Sequence, residues 1–288
     1  MKTRIVLAGL IVCGGLAAFA DSLTQSTFTE VINDVNVVVP STHAATPAKV
    51  SELFKTPDLV RTGPGSRTEL TAPDQTITRV GANTVFSFEP AGRNLNLEKG
   101  SILFHSPSGK GGGTIKSGGA AAAVLGTTLI VAATEDGGFK VIVLEGNGWV
   151  SLSNGRSVSL HAGQMVFVLP GQNNLGPVLD INLGKLVAGS LLVNGFSHEL
   201  PSAPRIHEAV QKQDYQLSTG RAEDTGVPAS TVAKRQRAVG NGMNALDKNT
   251  YQAAIVPGLA PSQVGILQQG EIPKGATQLG GRGIVIVR

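Results

Sequence analysis

Cysteine is almost absent from this chain of 288 residues: Cys13 is the one example. A disulfide framework needs paired cysteines and a zinc ribbon needs clustered thiols, so both classes are excluded. Aromatic residues make up 4% of the sequence, with a single tryptophan, Trp149, and charged residues make up 15%, against roughly 25% in an average soluble protein. The apolar run from Ile5 to Ala17 is shorter than the about 20 residues that a membrane-crossing helix needs. Helical periodicity is also missing before residue 170, apart from a candidate at Ala48 to Phe54. What remains is a chain that must stabilise itself through an apolar core built from strands.

The first twenty residues are expected to be removed. Lys2 and Arg4 form a basic start, Ile5 to Ala17 is apolar, and Ala18-Phe19-Ala20 is a small-x-small cleavage site before Asp21. This order is that of a signal peptide and places the mature chain in the periplasm or outside the cell. A lipidated Cys13 fits less well, because Val12 precedes it and the cysteine lies inside the apolar run. Removing Lys2 and Arg4 from 24 basic residues leaves 22 against 20 acidic ones. The mature chain is then almost neutral, which gives no sign of a nucleic-acid partner.

From Thr27 to Leu169 short strands alternate with turn residues. Val35 to Val39, Ser66 to Leu70, Thr76 to Val80, Thr84 to Phe88, Trp149 to Leu152, Ser157 to Leu160 and Met165 to Leu169 all read this way. Strands recurring at roughly 8–12 residues argue for an all-β sandwich or a solenoid-like coil of sheets. Pro170 to Asn174 reads as a boundary. Beyond it, Ile181 to Val193 reads as a helix or extended segment, and Ser202-Ala-Pro204 opens a short helix through Gln213 with a thin stripe of Ile206 and Val210. From Ser218 to Gly281 the composition is rich in Gly, Ala, Gln, Ser and Pro and predicts disorder or marginal helices. Gly283 to Arg288 is a β-prone exception.

Two runs organise the rest. Val124 to Ala133 is nearly all apolar, Asp136-Gly137-Gly138 supplies a turn, and Phe139 to Gly146 resumes as a strand. The pair reads as a hairpin covered on both faces by other strands, with Gly126 in a tight backbone conformation. A Gly-Thr pair opening a strand, a charged turn and a strand ending Val-Leu-Glu-Gly resemble the core of the FecR domain, the periplasmic module of a family associated with iron-citrate signalling. Leu59 to Gly63, Ser66 to Leu70, Gly81 to Thr84 and Leu97 to Leu103 lie upstream in matching order, and Gly148 to Leu152 and Val158 to Gln164 lie downstream. The resemblance covers roughly residues 28–172 and implies an all-β fold with no transferable binding residue.

The expected architecture is therefore all-β: a FecR-like sandwich or solenoid-like domain with a short helical segment and a largely disordered C-terminal tail. The expected divisions are a signal peptide at 1–20, the β domain at 25–172, a packed extension at 173–215 and the low-complexity tail at 216–288.

Candidate chemistry is sparse. Ser108-Gly-Lys-Gly-Gly-Gly-Thr114 suggests a phosphate loop, but Lys110 is followed by Gly111, and Phe104 stands where the first glycine belongs. A flexible hairpin loop is the expectation, one in which Gly112 would tolerate substitution. His43, His105, His161, His198 and His207 show no paired metal-ligand spacing. No Gly-x-Ser-x-Gly elbow is present, and Glu135, Asp136 and Glu145 read as solvated turn carboxylates. Trp149, Phe86, Phe88 and Phe139 suggest a sugar platform, though their alternation with polar residues favours the core. Lys234-Arg-Gln-Arg237 reads as a solvated basic cluster. Catalytic, cofactor and metal sites are all expected to be absent.

The function expected is a non-catalytic exported interaction or sensing module of the bacterial envelope, with an envelope or extracellular protein as partner. No nucleic acid and no transmembrane helix in the mature chain are expected. The signalling members that this module resembles carry a cytoplasmic domain and a transmembrane helix in front of it, where this chain has the leader. An envelope scaffold using the tail as tether is the second reading, and a secreted carbohydrate-binding or carbohydrate-active protein the third.

Overall fold

The computed structural model describes residues 22–169, 174–222 and 224–226, together with the backbone of three short strands at 231–235, 251–255 and 266–267. The leader and most of the tail, for which cleavage and disorder are expected, lie outside the described residues.

The chain shuttles between two facing sheets. It enters the first with β1 (Gln25–Ile32) and crosses to the second for β2 (Val35–Val38) and β3 (Ala45–Pro47). It returns for β4 (Leu53–Lys55), crosses for β5 (Leu59–Thr62), and comes back for β6 (Arg67–Thr71) and β7 (Ile77–Val80). The second sheet then receives β8 (Val85–Phe88) and the first half of β9 (Asn94–His105), whose second half lies in the first sheet. β10 (Gly113–Ser117) and β11 (Ala120–Val124) join the second sheet, and β12 (Thr128–Ala133) and β13 (Phe139–Glu145) the first. β14 (Asn147–Leu152) and β15 (Ser157–His161) close the second sheet, and β16 (Gln164–Val168) and β17 (Leu179–Asp180) the first. Pairing is antiparallel throughout these strands except between β9 and β10.

Because β9 belongs to both sheets, the strands fold over a common core. Phe28, Leu70, Val80 and Val131 from the first sheet meet Val60, Phe86, Leu95 and Val150 from the second. Phe54 packs against Phe28, Phe86 and Phe88 with ring centroids 5.3–6.0 Å apart, tilted arrangements that each add about 0.5–1.5 kcal/mol beyond burial. The β12–β13 hairpin is the most buried part, every residue of both strands being buried, as the apolar run implied.

The sheet switches have a recurring construction in which threonine hydroxyls replace interrupted ladder bonds. Thr62 Oγ1 donates to Gly81 O (2.6 Å) and accepts from Thr84 N (2.9 Å). Thr84 Oγ1 accepts from Ser101 N (3.0 Å), and Thr127 Oγ1 donates to Asn147 O (2.8 Å). At the bend of β9, Gly100 has φ 93°, and an added Cβ would stand 2.5 Å from Thr84 Cα. Only glycine serves there.

Several expectations change here. Gly126 has the tight conformation expected of it (φ 65°), but it is more than the entry to a strand: β11 ends at Val124, and the glycine is the corner where the chain changes sheets. The glycine loop is not indifferent either. Gly112 has φ 70°, and an added Cβ would overlap the Val124 carbonyl oxygen, because the loop packs against that corner. Ala48 to Phe54 forms no helix but a turn leading into β4, since Phe54 is drawn into the aromatic cluster.

The outer face of the first sheet is covered by α1 (Leu183–Gly189), α2 (Leu191–Asn194) and α3 (Ala203–Ser218). They form a second core with Ile77, Leu103, Ile130, Ile142 and Met165. Asn182 caps α1 by accepting from Lys185 N (2.9 Å). Gln213 of α3 accepts from Leu183 N (2.8 Å) and donates to Ile181 O (2.7 Å), tying α3 to the start of α1. The three strands of the tail pair antiparallel as a separate small sheet.

Candidate functional site

Three places concentrate polar chemistry, and two of them lie beneath the helices. Register places Ile77, His105, Thr128 and Glu145 in one cross-strand row of the first sheet. Thr128 Oγ1 lies 2.7 Å from Glu145 Oε1, 2.8 Å from Ser202 Oγ and 2.9 Å from His105 Nδ1. A hydroxyl carries one proton, which goes to the acceptor-only carboxylate, so Ser202 and the His105 Nδ1–H both donate to the threonine oxygen. Arg205 donates to Glu145 from 3.2 Å and to Ser108 from 3.3 Å. Burial, and then the Arg205 charge, push His105 down to about 4. The imidazole is therefore neutral at pH 7.

A serine, a histidine and a carboxylate thus come together, but not as a nucleophile with its base. Ser202 is fully buried and bonds to Thr128 rather than to His105. Its hydroxyl is expected to cap α3, yet makes no capping bond. It fastens the first turn of α3 to the sheet instead. Glu145 is 3% exposed, so it is not the solvated turn carboxylate that the sequence suggested.

The second place is Arg79, fully buried on the same face. Its Nε lies 2.8 Å from Glu69 Oε2, Nη1 donates to Val193 O (2.7 Å) and Nη2 to His198 O (2.5 Å). The guanidinium sits 4.4 Å from the Phe196 ring centroid. Thr29 donates to the other Glu69 oxygen (2.8 Å). The fork of donors gathers a carbonyl that α2 leaves unpaired at its end and another from the loop after it, so this too is an anchor. Lys140 shares the covered face, where burial pushes it down to about 7.

The third place is open. Among the described residues no helix lies on the outer face of the second sheet, and there Trp149 is 52% exposed. The expectation that it joins the core is corrected: Gly148, Val150 and Leu152 are the inward residues of β14, so parity turns Trp149 outward. Phe86, Phe88 and Phe139 are buried as expected and take no part in a platform.

The remaining candidates stay apart. Glu135 and Asp136 lie in an exposed turn, with Glu135 accepting from Lys99 (2.6 Å). His161 Nδ1 meets Asn147 Oδ1 at 2.6 Å, His198 Nδ1 meets Ser197 Oγ at 2.8 Å, and His43 and His207 are on other elements. Among the described residues no three His, Cys, Asp or Glu side chains are grouped to hold a metal ion. No helix among them is long and apolar enough to cross a membrane. The side chains of 234–237 lie outside the described residues.

The geometry is that of an all-β module with one face closed by helices and one face that no described helix covers. Residues 58–147 match the model of the family described as FecR protein, so the segment from the start of β5 to the start of β14 is a FecR domain segment. It falls inside the 28–172 span of the sequence resemblance. Two crystal structures of a "putative anti-sigma factor" from Parabacteroides distasonis ATCC 8503 are similar in part. Both are 19% identical with a TM-score of 0.40, covering 45% of this chain and 63% or 62% of the other. The chain thus spans less than two thirds of the length of those structures. No curated protein matches it.

Proposed function

We propose that this chain is an exported, non-catalytic sensing or interaction module of the bacterial envelope, with an envelope or extracellular protein as its partner. The observation that carries this reading is the FecR match over residues 58–147, which takes in strands of both sheets and the long β9 that joins them. The matched segment is thus the frame of the sandwich rather than an appendage to it. The buried polar clusters support the same reading, because each is consumed in fixing helices to the sheet. An apolar leader of 13 residues, Ile5 to Ala17, behind two basic residues supports export.

The test is cross-linking of the tagged full-length protein in living cells, followed by reconstitution with the captured protein. The expected result is one envelope protein that binds the purified chain at fixed stoichiometry. Turnover of a substrate by the purified chain, or the absence of any reproducible partner, would contradict the proposal.

A further inference from the structure

The outer face of the second sheet, which no helix among the described residues covers, has a composition that points to one kind of ligand. Register aligns Asn94, Thr114, Ala123, Trp149 and Ser159 in one row across five strands. At a strand spacing of about 4.8 Å the row is roughly 19 Å long. Its residues are an amide, two hydroxyls, a methyl and one large aromatic, with no charge among them. Ser151 lies two residues along β14 from Trp149, on the same face. Of the nearby charges, Lys116 is neutralised by Glu89 at 2.9 Å.

We propose that this face binds a neutral polysaccharide strand, with Trp149 as its stacking platform. The indole presents a large apolar surface and an N–H donor, and its cross-strand neighbours, Ala123 and Ser159, are too short to cover it. A pyranose ring has an apolar C–H face to lay on the indole and hydroxyls at its edge for the flanking hydroxyl and amide side chains. A few well-placed polar groups around an aromatic anchor are what such a ligand requires. An anionic polymer would need cations that the row lacks. A protein partner would be expected to cover a broader apolar patch with Arg or Tyr anchors, and among the described residues the one other large exposed hydrophobe near Trp149 is Leu125. This inference rests on the proposed non-catalytic binding role and supplies what the module would sense; the protein partner would use another surface.

The single tryptophan makes the site its own reporter, because all indole fluorescence comes from position 149. The full-length protein is titrated with a mixed-linkage β-glucan, a xylan and a galactomannan, with alginate as the anionic arm. Binding is read from the emission and from retardation in native gels containing each polymer. The expected result is a saturable change with at least one neutral polymer, insensitive to 0.5 M salt (about fifty times the ionic strength at which surface charges are screened only beyond 30 Å). Retardation should weaken about tenfold or more in Trp149→Ala and be largely kept in Trp149→Phe. Both variants should melt like the parent, since Trp149 is half exposed.

Retardation by no neutral polymer, equal retardation of Trp149→Ala, or binding to alginate alone would overturn the inference. So would an emission change caused only by the cross-linked protein partner. A partner captured and reconstituted without any glycan binding would sink this inference while leaving the proposed function standing.

Discussion

Replacing Gly100 by alanine tests the sheet-switching architecture at the residue where one strand serves both sheets. Gly100 has φ 93°, and Gly137, in the exposed turn between β12 and β13, has φ 88°. Both would pay a left-handed penalty of about 1–2 kcal/mol on gaining a Cβ. Their surroundings differ. A Cβ at Gly100 would stand 2.5 Å from Thr84 Cα and 2.6 Å from Thr84 Cβ, whereas nothing lies within 4 Å of one at Gly137. Overpacking against a fixed backbone adds about 1–3 kcal/mol, giving about 2–5 kcal/mol for Gly100→Ala. With roughly 2–4 °C per kcal/mol for a unit of this size, scanning calorimetry should show the midpoint falling by about 4–20 °C. Gly137→Ala should lower it by about 2–8 °C. Equal losses at the two positions would mean that Thr84 is not packed against the bend and that β9 does not pass between the sheets as described.

Arg79→Ala should cost about 3–5 kcal/mol, because it leaves Glu69 buried without its partner and strips the end of α2 of its donors. Urea unfolding gives the magnitude, and amide exchange should show residues 191–200 losing protection first. The stability of the parent should also depend on His105, which titrates at about 4 in the folded chain against 6.5 when unperturbed. Between those values the unfolded chain holds more protons, so stability is full above about pH 6.5 and declines as pH falls toward 4, by up to about 3 kcal/mol. Thr128, Glu145, Ser202 and Arg205 surround the ring, and His105→Gln should flatten that decline in pH-dependent urea melts. An unchanged slope would show that other groups carry it.

The central hairpin was legible because Leu129 to Ala133 and Phe139 to Leu144 are apolar on both faces, a pattern that only a covered strand tolerates. Period-two alternation also marks inside and outside along each strand. It carries no information about which of two sheets a strand joins, so the corner at Gly126 was read as the start of a strand. Gly112 and Gly126 look alike in sequence; that the first abuts the Val124 carbonyl depends on a contact between different strands. Trp149 was misread against an available signal, since Gly148, Val150 and Leu152 form the more apolar parity of β14. Arg79 and Glu69 gave a fainter one, as polar residues inside strands. What satisfies Arg79 comes from α2 and the residues after it, more than a hundred positions away, and no local pattern announces such a partner.

Amide exchange of the full chain, alone and with its reconstituted envelope partner, bears most directly on the proposed function. If the FecR segment is the interacting module, protection should rise on strands within residues 58–147 and be unchanged in the residues after Ala222. Protection confined to the residues after Ala222, with every strand of the sandwich unaffected, would contradict the account and make the β domain a scaffold for its own tail.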